Sequence, residues 1–271
     1  MSEECTKSDC SGCGESGCRS RRIEKESLRE GSSVKRVIGV ISGKGGVGKS
    51  TVTAMIASAL AAKGEKTGIL DADITGPSIP RLFGISDKAE ADGECVYPIE
   101  SGKGIKIMSI NLLLEDETSP VIWRGPVISG TVKQFWTEVA WGELDTLLVD
   151  MPPGTGDVPL TVFQSIPVDG LIVVTTPQEL VGMIVSKAVN MAQMMNVPVL
   201  GLVENMAYFK CPDCGKEHEI FGHSSAYSVA ESFGIGNVCR LGMDMDRAKL
   251  CDQGRADEFD VAEMAEFIEK L

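Results

Sequence analysis

Residues 40–50, VISGKGGVGKS, decide the fold. Gly43-x4-Gly48-Lys49-Ser50 has the spacing of a phosphate-binding loop. Its surroundings suit one. KRVIGVIS at 35–42 is β-branched and reads as a strand, and STVTAMIASALAAKG at 50–64 reads as a helix. That helix is apolar almost all round, hence buried, and Gly64 is its stop. The run Gly43, Lys44, Gly45, Gly46, Val47, Gly48, Lys49, Ser50, Thr51 can turn its backbone N–H groups onto phosphate oxygens, and the helix N-terminus adds positive potential. Lys49 is expected at the β- and γ-phosphates of ATP, the Ser50 hydroxyl on Mg²⁺ and Thr51 at the α-phosphate. A phosphate cradle needs one lysine at its end, yet Lys44 supplies a second just after Gly43.

Working outward, Val/Ile/Leu-rich runs recur at KTGILDAD (66–73), GIKIMSI (104–110), DTLLVDM (145–151), DGLIVVTT (169–176) and VPVLGLVEN (197–205). Helical patterns such as VISGTVKQFWTEVA (127–140) and VGMIVSKAVNMAQMM (181–195) separate most of them. Continuous apolar strands alternating with helices predict an α/β, doubly wound, mostly parallel sheet of the P-loop NTPase type. DVAEMAEFIEKL (260–271) reads as an amphipathic acidic helix. Two strand ends carry aspartates, Asp71 and Asp73 on one and Asp150 on the other, at the edge where such sheets bind ligands.

The 271 residues carry a formal net charge of −13, which argues against nucleic acid as a partner. The N-terminus lacks the apolar core of a secretory signal, and no run approaches the roughly 18 apolar residues of a membrane span. A cytoplasmic protein without membrane association is expected. Nine cysteines are then metal ligands or thiols rather than disulfides. Residues 1–33 form a polar, cysteine-rich segment ending in a short charged helix or linker, and 34–271 form the nucleotide-binding domain.

CPDCGKEHEIFGH at 211–223 places Cys211 and Cys214 where both thiols can face one metal. Two readings stand. The pair can serve a cluster that also takes thiolates from elsewhere. Alternatively Cys211, Cys214, His218 and His223, with the chain's only two histidines, can form a Cys₂His₂ zinc knuckle. Cys5-x4-Cys10-x2-Cys13-x4-Cys18 can wrap an iron–sulfur cluster or zinc, or form a bare thiol tail. Cys95, Cys239 and Cys251 have no partner at ligand spacing and are read as structural.

GKGGVGKS resembles the deviant Walker A motif shared by Min and Par proteins, nitrogenase iron protein and Mrp/ApbC-type iron–sulfur cluster carriers. The resemblance implies that Lys44 crosses a dimer interface to the partner's nucleotide, where it stabilises developing charge. It makes Asp73 the first-switch residue that orients attacking water and Asp150 the Walker B aspartate. Pro152 to Asp157 becomes the second switch and Asn205 the adenine reader, with a weaker contribution from TTPQE around Pro177. C-P-x-C at 211–214, with DADITGPSIPRLFG, WRGP at 123–126, DMPPGTGD and ENMAYF, resembles the Mrp/ApbC-type carriers over roughly residues 34–271. That likeness implies a homodimeric ATPase with a labile [4Fe–4S] cluster bridging Cys211 and Cys214 of both chains, handed to apo iron–sulfur proteins. Zinc is a possible substitute. The four N-terminal cysteines resemble those of eukaryotic cytosolic scaffold ATPases, implying a second [4Fe–4S] cluster, although their first gap here is shorter. A zinc-bridged targeting ATPase would need a Met- and Leu-rich helical insertion. A Min-type ATPase would need a basic C-terminal helix. A nitrogenase-like redox ATPase would need cluster ligands far apart in sequence.

Overall fold

The computed structural model describes residues 25–74, 76, 78–114, 125–154, 156–177 and 181–271. Cys5, Cys10, Cys13 and Cys18 lie outside them. In chain order the strands are β1 (Ser33–Ser42), β2 (Thr67–Asp71), β3 (Ile99–Glu100), β4 (Lys106–Ser109), β5 (Glu143–Asp150), β6 (Gly170–Thr175), β7 (Val199–Glu204), β8 (Phe209–Lys210), β9 (Glu217–His218) and β10 (Val238–Arg240). The helices are α1 (Lys49–Ala62), α2 (Ile79–Leu82), α3 (Gly125–Thr137), α4 (Asp157–Ser165), α5 (Val181–Met194), α6 (Ala226–Ser232), α7 (Met245–Asp252) and α8 (Ala265–Glu269). Eight strands form one sheet in the order β10-β7-β6-β1-β5-β2-β4-β3, while β8 and β9 form a separate hairpin. Every pairing in the large sheet is parallel except β3 with β4.

The inner strands carry unbroken apolar runs, such as residues 37–41, 147–149 and 171–174, because both faces are covered there. Alternate residues point to opposite sides. Val149, Val173 and Leu202 pack with Phe135 and Trp136 of α3, Phe163 of α4 and Val185 of α5. Their neighbours Leu148, Ile172 and Val203 pack with α1 and with Met264, Phe267 and Ile268 near the C-terminus. Helix α1 lies between the sheet and these C-terminal elements, which explains an apolar surface on nearly all sides. The C-terminal stretch is not one continuous helix. Asp260 accepts from the Ala262 N–H, a 3₁₀ turn at Ala262–Met264 buries Met264, and α8 supplies only five residues. The hairpin, β10, α2, α6 and α7 carry too few periodic residues to be read from sequence.

From β1 the chain passes to β2 on one side, and β6 and β7 lie on the other, so strand order reverses around β1. The crevice beyond the C-terminal ends of the strands at such a reversal is where open α/β sheets bind ligands. The glycine-rich loop follows β1 directly.

Residues 25–32, expected as a charged helix or linker, are neither helix nor strand, and they lie against the domain. The Glu26 N–H donates to the Ser165 carbonyl at 2.8 Å, and the Glu26 carbonyl accepts from Trp136 Nε1 at 2.9 Å. Arg29 donates to the Glu94 carbonyl, and Leu28 packs on the core. A chain starting at Ser33 should therefore be less stable than one starting at Lys25 by about 1–3 kcal/mol, since the buried Trp136 N–H loses its acceptor. Thermal denaturation of the two truncations measures this, and equal melting temperatures would show that residues 25–32 add nothing.

Candidate nucleotide and thiol sites

The loop after β1 closes because glycine occupies its two most constrained positions. Gly48 has φ of 79°, and a Cβ there would stand 2.2 Å from the Asn205 amide nitrogen. A Cβ at Gly43 would lie 2.3 Å from Ile184 of α5. Lys49 opens α1 and is buried. Its Nζ lies 2.8 Å from Asp150 Oδ1 and 3.8 Å from Asp73 Oδ2. Ser50 Oγ donates to Asp150 Oδ2 at 2.5 Å, and Thr53 Oγ1, one turn further along α1, donates to Asp150 Oδ1 at 2.9 Å. Lys49, Ser50, Asp73 and Asp150 are thus brought together as expected. A cavity of about 280 Å³ is lined by Lys44, Lys49, Ser50, Asp73 and Pro153 among others. Pro153 belongs to the stretch expected as the second switch, whose Thr155 lies outside the described residues.

Asp71, to which sequence reasoning assigned no role, is the most constrained carboxyl of the site. It pairs with Asp150 across the β2–β5 register and has no exposed surface. Burial, followed by the neighbouring Asp150 charge, pushes its pKa up to about 8, although Lys49 pulls the other way. Its oxygens accept from the backbone N–H groups of Asp73 and Ile79 and from Ser109 Oγ. Asp71 therefore holds both ends of the loop that carries Asp73.

Asn205 stands just past β7. Its amide donates to the Val47 carbonyl at 2.9 Å. It lines a second cavity, about 460 Å³, which meets the first at Gly48 and Thr51. Met206 of the ENMAYF stretch also lines it, with Met243, Arg247 and Cys251, the last three marked by no sequence motif. Cys95 and Cys239 are buried, as structural thiols should be, whereas Cys251 is half-buried and faces this cavity with Thr51. The TTPQE stretch continues past Pro177 into residues outside those described.

Cys211 and Cys214 occupy the turn of the β8–β9 hairpin. The Cys211 N–H donates to the Lys216 carbonyl, and the Gly215 N–H to the Cys211 carbonyl, both within 2.9 Å. The backbone N–H groups of Cys214 and Asp213 also donate to the Cys211 sulfur, which holds its thiol below the ordinary cysteine range. The turn therefore favours the thiolate form of Cys211. His218 sits in β9 opposite Phe209, and the exposed His223 ring pairs with Glu219 Oε2 at 2.6 Å. Among the described residues no three His, Cys, Asp or Glu side chains converge on one point. A third cavity, about 360 Å³, runs along the hairpin and shares Phe209 and Gly242–Met245 with the Asn205 cavity.

Residues 33–271 match the family described as NUBPL iron-transfer P-loop NTPase. An iron–sulfur cluster carrier protein of Clostridium perfringens is 47% identical over 93% of this chain and 92% of its own length. One from Methanocaldococcus jannaschii is 48% identical over 82% and 78% respectively. A solved nucleotide-binding protein from Archaeoglobus fulgidus, in complex with ADP, is 46% identical, with a TM-score of 0.79 over 86% of this chain and 92% of that one.

With its pKa pushed by burial and by Asp150 up to about 8 in the fold, against 3.8 for the free carboxyl, Asp71 should hold its proton in the fold over pH values where the unfolded chain has lost it. Between these values the folded chain binds more protons than the unfolded one. Stability should therefore fall as pH rises, by at most about 1.4 kcal/mol per pH unit. Asp71→Asn should flatten that slope. Urea denaturation of nucleotide-free protein at several pH values between about 5 and 8 tests this, and an unchanged slope in the variant would assign the proton elsewhere.

Proposed function

The chain belongs to the iron-transfer P-loop NTPase family, and we propose that it is an ATP-hydrolysing carrier of iron–sulfur clusters, acting as a homodimer that passes [4Fe–4S] cargo to apo-proteins. One observation carries this reading: a hairpin turn on a P-loop NTPase domain holds Cys211 beside Cys214 and favours the Cys211 thiolate, His223 is engaged by Glu219, and among the described residues no third His, Cys, Asp or Glu side chain converges on the pair. A cubane cluster commonly takes four thiolates, and one chain offers two at this turn. A second copy supplies the other pair, so the cargo lies between subunits. Zinc competes for the same thiolates. In this reading Cys5, Cys10, Cys13 and Cys18 hold a second [4Fe–4S] cluster.

In the nucleotide half, the loop N–H groups and Lys49 bind the phosphates of ATP, and Asn205 reads the base. Ser50 and Asp150 offer hydroxyl and carboxylate oxygens side by side, a donor set that fits Mg²⁺. When bound, that ion would neutralise charge on the β- and γ-phosphates. Asp73 orients the attacking water. Lys44 of one protomer serves the partner's nucleotide, adding positive charge where the transition state gathers negative charge.

Two experiments test these halves. Lys49→Ala should lose ATP binding, whereas Lys44→Ala should keep ATP affinity within about threefold and lose about 100-fold or more in kcat. A binding titration beside steady-state hydrolysis separates them, and normal turnover in the Lys44 variant would remove its role in trans. For the cargo, anaerobic reconstitution of a chain whose four N-terminal cysteines are serine should give about four irons per dimer. Cys211→Ala or Cys214→Ala should lose that iron and weaken the dimer, and His218→Ala with His223→Ala should keep it. Metal that depends on both histidines and survives in a monomer would overturn the carrier reading.

A further inference from the structure

A line of direct contacts runs from the phosphate loop to the cysteine hairpin. Asn205, bonded to the Val47 carbonyl, follows Glu204 at the end of β7. Glu204 has no exposed surface. Its Oε2 accepts from Arg240 Nε at 3.1 Å, directly across the β7–β10 register, and its Oε1 is buried without a hydrogen-bond partner. The same guanidinium sends Nη2 outward to Glu219 Oε1 at 2.9 Å. It also stands over the Tyr208 ring, 6.0 Å from the centroid. Tyr208 immediately precedes β8 and Glu219 immediately follows β9. One side chain therefore touches the two feet of the segment that presents Cys211 and Cys214.

The chemistry explains why this residue is arginine. A buried carboxylate is costly unless paired, so Glu204 commits Arg240 to one orientation. The planar guanidinium fork can then serve a second carboxylate and stack on an aromatic ring, which a lysine ammonium cannot do together. Position is thereby passed from the sheet edge to the hairpin. The hairpin tip is held by its own backbone hydrogen bonds, and Cys214 there is exposed.

We propose that Arg240 is the positioning residue of the cysteine hairpin, and that through Glu204 and Asn205 it relays the state of the nucleotide site to Cys211 and Cys214. The relay rests on the proposed function for its purpose, but its test needs no iron. The full chain, metal-free and anaerobic, is alkylated with iodoacetamide with and without ATP, and the labelling rates of Cys211 and Cys214 are read by peptide mass spectrometry. In the wild-type chain ATP should slow labelling about twofold or more, because it fixes Asn205 and with it the Glu204–Arg240 pair.

Glu219→Ala removes the outer Arg240 contact and the Glu219–His223 pair but leaves the buried Glu204–Arg240 pair, so folding is retained, and His223→Ala, which should label like the wild-type chain, controls for the second loss. It should label about threefold faster without ATP, the scale of a partly exposed ion pair, and should not respond to ATP. Glu219→Gln keeps an acceptor and should restore most of the wild-type behaviour. Arg240→Lys keeps a charge for Glu204 but loses the fork, and should behave like Glu219→Ala. ATP affinity should stay within about twofold throughout. A wild-type labelling rate in Glu219→Ala would overturn the positioning role. A persistent ATP response in that variant, or none in the wild-type chain, would overturn the relay. Lost ATP affinity would reduce Arg240 to a structural residue. Failure of the wild-type chain to bind iron at Cys211 and Cys214 is a separate result, and counts against the carrier reading alone.

Discussion

Asp150 has no exposed surface, and its charge is met by Lys49 at 2.8 Å. Removing one member of a buried pair of this kind costs on the order of 3–5 kcal/mol, because the other charge is left stranded. The pair joins the first residue of α1 to the last residue of β5, and Ser50 and Thr53 add two hydroxyl donors from the same helix. The glycine-rich loop is therefore anchored at its helical end before any ligand arrives. Asp71, one strand away, is disfavoured as a second ionised carboxyl, since its full burial and the Asp150 charge outweigh the pull of Lys49.

That balance bears on nucleotide chemistry. Phosphates carry the same sign of charge as Asp73 and Asp150, and they compete with both for Lys49. The oxygens of Ser50 and Asp150 then suit a hard divalent cation that offsets the added charge. Asp73 is held by its own backbone N–H to Asp71, so its placement is set by the buried strand end and not by the exposed loop.

The thiol site is made differently. Its hairpin has only two residues in each strand, yet four backbone N–H groups shape the turn, two of them aimed at the Cys211 sulfur. Such a turn favours thiolate without enclosing a metal. On the carrier reading this suits cargo that must leave, because a site completed by a second copy can open when the two copies move apart.

Local pattern alone reached the phosphate loop, the five main parallel runs after it, the strand-end aspartates and the C-x-x-C pair. Each of these depends on neighbours within a few residues: glycine spacing, β-branched runs or two thiols across one turn. The raised pKa of Asp71 was out of reach, since it arises from burial in the packed sheet and then from Asp150, 79 positions away and adjacent only across the β2–β5 register. So were the Asn205 cavity wall at Met243–Cys251 and the packing of residues 25–32, which depend on short elements without a period. Arg240 is the clearest case. In sequence it ends a three-residue strand, and only the sheet order sets it between Glu204 and the feet of the hairpin. The sequence determined which chemistry each segment could offer, because backbone propensity and ligand spacing are local. The tertiary structure decided which charges are buried together, because burial is a property of the packed sheet as a whole.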